Sequence, residues 1–168
     1  MDDRWHIAQI NVGRLVAPRG DSAVQPFFDD LDRVNALAEA SSGFVWRLQD
    51  EAGNATCIQP TADPLFILNM SVWTGADDLF AFVYRSAHTP VMARRREFFG
   101  GFDSAYQALW WIPAGTLPTI NDGLSRLWQI DRFGPTQHAF TFKLRFPPPD
   151  RADPPIDMQP EPWCIGRA

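Results

Sequence analysis

The chain has 168 residues, 45% of them apolar and 13% aromatic, which suits a single folded domain with a full hydrophobic core rather than a disordered chain. Its formal charge is −5, and Lys143 is the only lysine among fifteen basic residues. Nucleic-acid binding relies on a concentrated basic surface that displaces counterions, so an acidic chain with scattered arginines speaks against that class of function.

The N-terminal stretch "MDDRWHIAQINV" carries two acids where a secretory signal would be positive. No apolar run approaches the ~20 residues of a membrane helix, and a soluble, cytoplasmic protein with no membrane partner is expected. Trp5 to Val12 alternate as a first strand, and "VAPRGDSAVQP" follows as a loop. Pro26 opens a helix over 26–41, with Phe27, Leu31, Val34 and Ala38 on one face. "GFVWRLQ" reads as a second strand, "DEAGNA" as a turn and "PLFILNMSVW" as a third strand of buried character. Cys57, in the loop between them, is far from Cys164 and has no CxxC partner, so free thiols are expected and no metal site is signalled.

Thr74 and Asp77 fit an acidic capping box for a helix with Leu79, Phe82 and Val83 on its buried face. Pro90 breaks the chain just past His88, and "TPVMARRREFF" resumes as helix. "YQALWWIPAG" is a fourth strand. Thr119 and Asp122 cap a further helix with a stripe of Ile120, Leu124, Leu127 and Asp131, stopped by Gly134 and Pro135. "AFTFKLRF" alternates as a last strand, placing Phe140, Phe142, Leu144 and Phe146 on one side. One domain over 1–149 and an extended proline-rich tail over 150–168 are expected.

This order matches an α+β fold: a ferredoxin-like antiparallel sheet covered by helices on one face. The other face, left uncovered, needs a partner, and a second copy of the chain is the simplest one. A homodimer through the sheet is expected.

Alternation sorts the strand side chains. Gln9 and Asn11 share one face of the first strand, and Asn69, Ser71 and Trp73 share one face of the third. Arg47 and Gln49 oppose Phe44, Trp46 and Leu48 in the second. Each strand has an apolar face and a mixed face, and the mixed faces together predict a cavity for a hydrophobic small molecule. Trp110 and Trp111 point to opposite faces, so one of them is expected to line the cavity, and Trp111 is assigned to it.

His88 follows the helix that begins near Asp77. One reading is a C-terminal cap for free carbonyls. In the other, His88, Met92, Arg95 and Phe99 recur at helical spacing and bring an imidazole and a guanidinium to one cavity, the imidazole as general base or as axial ligand to haem iron. No second histidine stands at metal-ligand spacing.

"GFVWRL", Trp73, Leu79, Phe82, Ser86 and His88 resemble the antibiotic-biosynthesis monooxygenase group of the dimeric α+β barrel superfamily. The stretches "HIAQINV", "GFVWRLQ", "NMSVW", "FVYRSAH", "RRREFF", "LWWIPAG" and "GPTQHAFTF" resemble more closely an uncharacterised bacterial family, a domain of unknown function within that superfamily. Spheroidene monooxygenase has a similar Trp-helix-His arrangement. The resemblance implies a barrel formed by two sheets, with a hydrophobic cavity. It also implies a choice between a cofactor-free oxygenase, a haem enzyme and a non-catalytic binding dimer. The residues expected to act are His88, Asn69 and Arg95, with Gln9, Asn11, Arg47, Ser71, Trp73, Trp111 and Met92 binding the ligand. No cofactor is predicted, haem being the alternative.

Overall fold

The computed structural model describes residues 4–51, 53–85 and 94–157. Strand β1 (Trp5–Arg14) leads to helix α1 (Gln25–Glu39), β2 (Phe44–Arg47), β3 (Phe66–Trp73), α2 (Ala76–Arg85), the single turn α3 (Arg95–Phe98), β4 (Gln107–Pro113) and α4 (Ile120–Phe133). Two short strands, β5 (Leu144–Arg145) and β6 (Ile156–Asp157), pair with each other. The main sheet runs β2-β3-β1-β4 with every neighbour antiparallel, the ferredoxin-like order expected of the chain. Among the described residues no helix is long and apolar enough to cross a membrane.

The register puts Gln9 opposite Ser71 and Asn11 opposite Asn69, with Leu109 and Gln107 on the other side of β1. One sheet face therefore carries Ile7, Gln9, Asn11, Asn69, Ser71, Trp73, Leu109 and Trp111. The opposite face carries Ala8, Ile10, Val12, Leu68, Met70, Val72, Ala108, Trp110 and Ile112, all buried.

Both faces are covered. Helices α1 and α2 lie over the mixed face, where Ala38, Leu79, Phe82 and Val83 join Ile7, Trp73 and Leu109 in one core. The apolar face carries α4: Leu127 is buried there, flanked by Ile120, Leu124 and Ile130. The approach is close enough that a Cβ on Gly123 would stand 2.7 Å from Ile10 Cδ1. Helices thus lie on both faces of the sheet, where one uncovered face was expected.

Local chemistry explains most element ends. Thr119 accepts from the Asp122 N–H while the Asp122 carboxylate accepts from the Thr119 N–H, the predicted capping box of α4. At α2 the Thr74 hydroxyl donates to Asp78 (2.8 Å) rather than Asp77, because Asp77 turns outward to Arg145 (3.0 Å). The predicted last strand is reduced to β5. Phe140 makes an isolated bridge with Leu109, and Phe140 and Phe142 serve as core side chains of the α1/α2 layer. Within the expected tail, Ile156–Asp157 pairs with β5.

Candidate functional site

A cavity of about 230 Å³ lies between the mixed sheet face, α1, α2 and the segment around α3. Gln9, Asn11, Arg47, Asn69, Ser71 and Trp73 all line it, which is the grouping that strand alternation predicts. Its roof is the apolar stripe of α1, Phe27, Leu31, Val34 and Ala38. The first three of these are only half-buried, since the cavity stands where packing atoms would be.

Polar side chains on central strands under a helical roof cost stability unless they find partners. Here they pair with one another. Gln9 Nε2 donates to Ser71 Oγ (3.0 Å) and, more weakly, to Asn69 Oδ1 (3.4 Å). Asn11 Nδ2 donates to Gln9 Oε1 (3.1 Å), and the Trp73 indole N–H donates to Ser71 Oγ (2.8 Å). Gln9 and Ser71 are 5% exposed and Trp73 is fully buried.

The direction of these bonds decides what the floor offers a ligand. Asn69 presents its oxygen to Gln9, so its amide N–H groups are left for the cavity, where Asn69 is exposed. Ser71 Oγ accepts twice, so its own proton is free to donate. The floor is therefore a donor surface set in apolar walls.

The remaining expected residues divide. Arg47 is held by Glu39 (2.8 Å) and by the Gly53 carbonyl (2.7 Å), tying the end of α1 to the loop after β2. Trp73 stacks on Phe82 (5.1 Å) and meets Phe44 edge-on (5.4 Å), so much of its ring is already engaged by the protein. Trp111 shares the mixed face but does not line the cavity; its indole N–H donates to the Phe146 carbonyl (2.8 Å) beside Phe140. Trp110 lies on the opposite face, so neither tryptophan of the pair lines the cavity. Arg95 and Phe99 do line it, as their spacing suggested. His88 and Met92 lie outside the described residues.

The part of Gly13 in the cavity wall was not anticipated from the sequence. Phe99 lies directly over Gly13, where a Cβ would stand 2.7 Å from its ring, and Phe27 meets Phe99 edge-on (5.1 Å). A glycine in a strand marks a close approach of another group, and Gly13 on the parity of Gln9 and Asn11 was the readable signal.

Residues 6–155 match the family described as Domain of unknown function (DUF3291). The chain belongs to this family. Among curated proteins none matches. Among solved structures, a protein of unknown function from Nitrosomonas europaea is similar at 13% identity, covering 70% of this chain and 98% of that one with a TM-score of 0.45. SnoaB, a cofactor-independent oxygenase from Streptomyces nogalater, is similar at 14% identity, covering 68% of this chain and 96% of that one with a TM-score of 0.43. Likeness at this identity concerns fold alone. The cavity of this DUF3291 chain is described by its own residues.

Proposed function

We propose that the chain binds a hydrophobic, aromatic small molecule over Asn69 and oxygenates it without a cofactor. The observation that carries this reading is the donor floor, Asn69 and Ser71, set on central strands beneath the apolar stripe of α1. Cofactor-free oxygenation asks little more of a protein than a base, donors for a developing oxyanion and a cavity that excludes water.

The substrate class is an aromatic ketone with an acidic ring methylene. Loss of a methylene proton to a base gives an enolate whose oxygen accepts from Asn69 and Ser71. The carbanion passes electrons to dioxygen and forms a C–O bond, and the resulting hydroperoxide loses water to leave a carbonyl. The balance is R₂CH₂ + O₂ → R₂C=O + H₂O, with four electrons leaving carbon and entering oxygen. His88 is the proposed base, on its place in the sequence.

Haem is the alternative cofactor read from His88. The described cavity is smaller than the about 300–1,000 Å³ that houses drug-sized ligands, and a porphyrin is larger than these. We derive no step through haem.

Anthrone, a tricyclic ketone of this class, tests the reading. The protein is expected to consume one dioxygen per anthrone and to place one atom of ¹⁸O₂ in the new carbonyl. Loss of Asn69 as a donor in Asn69→Ala should lower kcat by about 10²- to 10³-fold. Oxygen uptake no faster than in buffer would remove the proposal.

A further inference from the structure

Among the described residues three charged side chains line the cavity, Asp30, Arg47 and Arg95, and they differ in what balances them. Asp30 is paired with Arg33 (3.0 Å) and Arg47 with Glu39 (2.8 Å). Arg95 has no carboxylate partner among the described residues; its guanidinium carbon lies over the Tyr106 ring, 4.4 Å from the centroid. The neighbouring Arg94 is already held by Glu97 (2.9 Å). Among the described residues the cavity wall thus holds one half-buried cation without a carboxylate partner, set over an aromatic ring.

We infer that the ligand carries a carboxylate and that Arg95 binds it, an inference that rests on the reading of the cavity as an aromatic site. A cation–π contact leaves the guanidinium N–H groups to pair with an anion, and a planar fork matches a carboxylate in two parallel bonds. A single cation suits a monovalent group better than a phosphate dianion. The shape agrees. Along β1 the floor runs from Gln9 to Gly13, four residue steps or about 14 Å at ~3.4 Å per step. That length accepts an elongated fused-ring body with its carboxylate at one end. Recognition has two parts: donors at Asn69 and Ser71 for an uncharged oxygen, and Arg95 for the acid.

Titration calorimetry of the full chain with anthracene-2-carboxylate and with anthracene-2-carboxamide separates the parts, because the two probes share shape and differ in charge. The carboxylate is expected to bind about tenfold tighter or more, the scale of a hydrogen bond to a charged group. Arg95→Gln should bring the two affinities together, Arg95→Lys should restore part of the difference, and Arg94→Gln should keep the wild-type preference. If both probes bind the wild-type protein equally, the anion subsite is overturned and the aromatic cavity stands. If neither binds, both readings fall. A preference that survives in folded Arg95→Gln overturns the role of Arg95, and should that variant not fold, Arg95→Lys must still narrow the preference for the inference to stand.

Discussion

Ser71→Ala is a small deletion with a large expected effect. Its hydroxyl oxygen accepts from the Trp73 indole (2.8 Å) and from Gln9 Nε2 (3.0 Å), and both donors sit in a layer closed to solvent. Gln9 keeps a second acceptor in Asn69 and Asn11 keeps its own bond to Gln9, so that half of the network relaxes. Trp73 is fully buried, stacked on Phe82, and its indole N–H is left without its acceptor. An orphaned buried donor costs about 1–3 kcal/mol and the lost Gln9 bond about 1 kcal/mol more, giving roughly 2–4 kcal/mol. For a chain of this size each kcal/mol moves Tm by about 2–4 °C, so a fall of about 5–15 °C is expected. Thermal and urea unfolding of Ser71→Ala, Trp73→Phe and the double variant give the coupling directly. The double variant should be more stable than the sum of the two single losses by about 1 kcal/mol or more, because removing the indole removes the orphan. Additive losses, or a Ser71→Ala cost below about 0.5 kcal/mol, would refute the account of the floor as a mutually satisfied network.

Gly43 has φ 76°, and a Cβ there would overlap the Asp78 carboxylate that accepts from Thr74. Gly43→Ala should therefore cost about 1–2 kcal/mol of backbone strain and about 1 kcal/mol of capping, seen as a lower urea midpoint with an unchanged slope. The Asp122 carboxyl is held below its ordinary range by the Thr119 N–H and hydroxyl. A lowered folded pKa means that the unfolded chain takes up the proton first as pH falls. Stability from the cap is thus present above about pH 4 and lost below it, and Asp122→Ala should flatten that part of the acid limb in Tm measured against pH. A homodimer remains a proposal, and sedimentation at micromolar concentration tests it: a monomer removes it, and a dimer must leave the apolar sheet face on α4.

The cavity floor was legible because β1 and β3 pair without a bulge, so a count of two carried Gln9, Asn11, Asn69 and Ser71 to one face. On β2 the same count placed Trp46 and Arg47 correctly and misplaced Phe44. The strand's register shifts between Phe44 and Trp46, which moves Phe44 onto the face of Arg47, against Trp73. A bulge inserts one residue and reverses every assignment beyond it, and nothing in "GFVWRL" announces one. The alternating phenylalanines of 140–146 misled for a related reason. Alternation reports burial of one side, and Phe140 and Phe142 are buried by α1 and α2 with a single bridge to β4 rather than by a ladder.

The stripe of α4 was equally plain, yet its partner face was not, because an amphipathic helix after a terminal strand can return to either side of the sheet. Gly123 held the answer. A glycine inside a helix costs about 1 kcal/mol relative to alanine, so its presence asks for a close approach, which here is to Ile10 and Met70. These two side chains belong to the apolar face, and Ile10 and Met70 are fully buried. Exposing them to a second sheet would require α4 to lift away and Leu127 to leave the core. The outward side of α4 instead shows Trp128 and Phe133, 56% and 64% exposed and in edge contact at 5.8 Å. Self-association that preserves this protomer therefore leaves the apolar sheet face on α4. The cavity lies on the other side of the sheet, under α1 and α2.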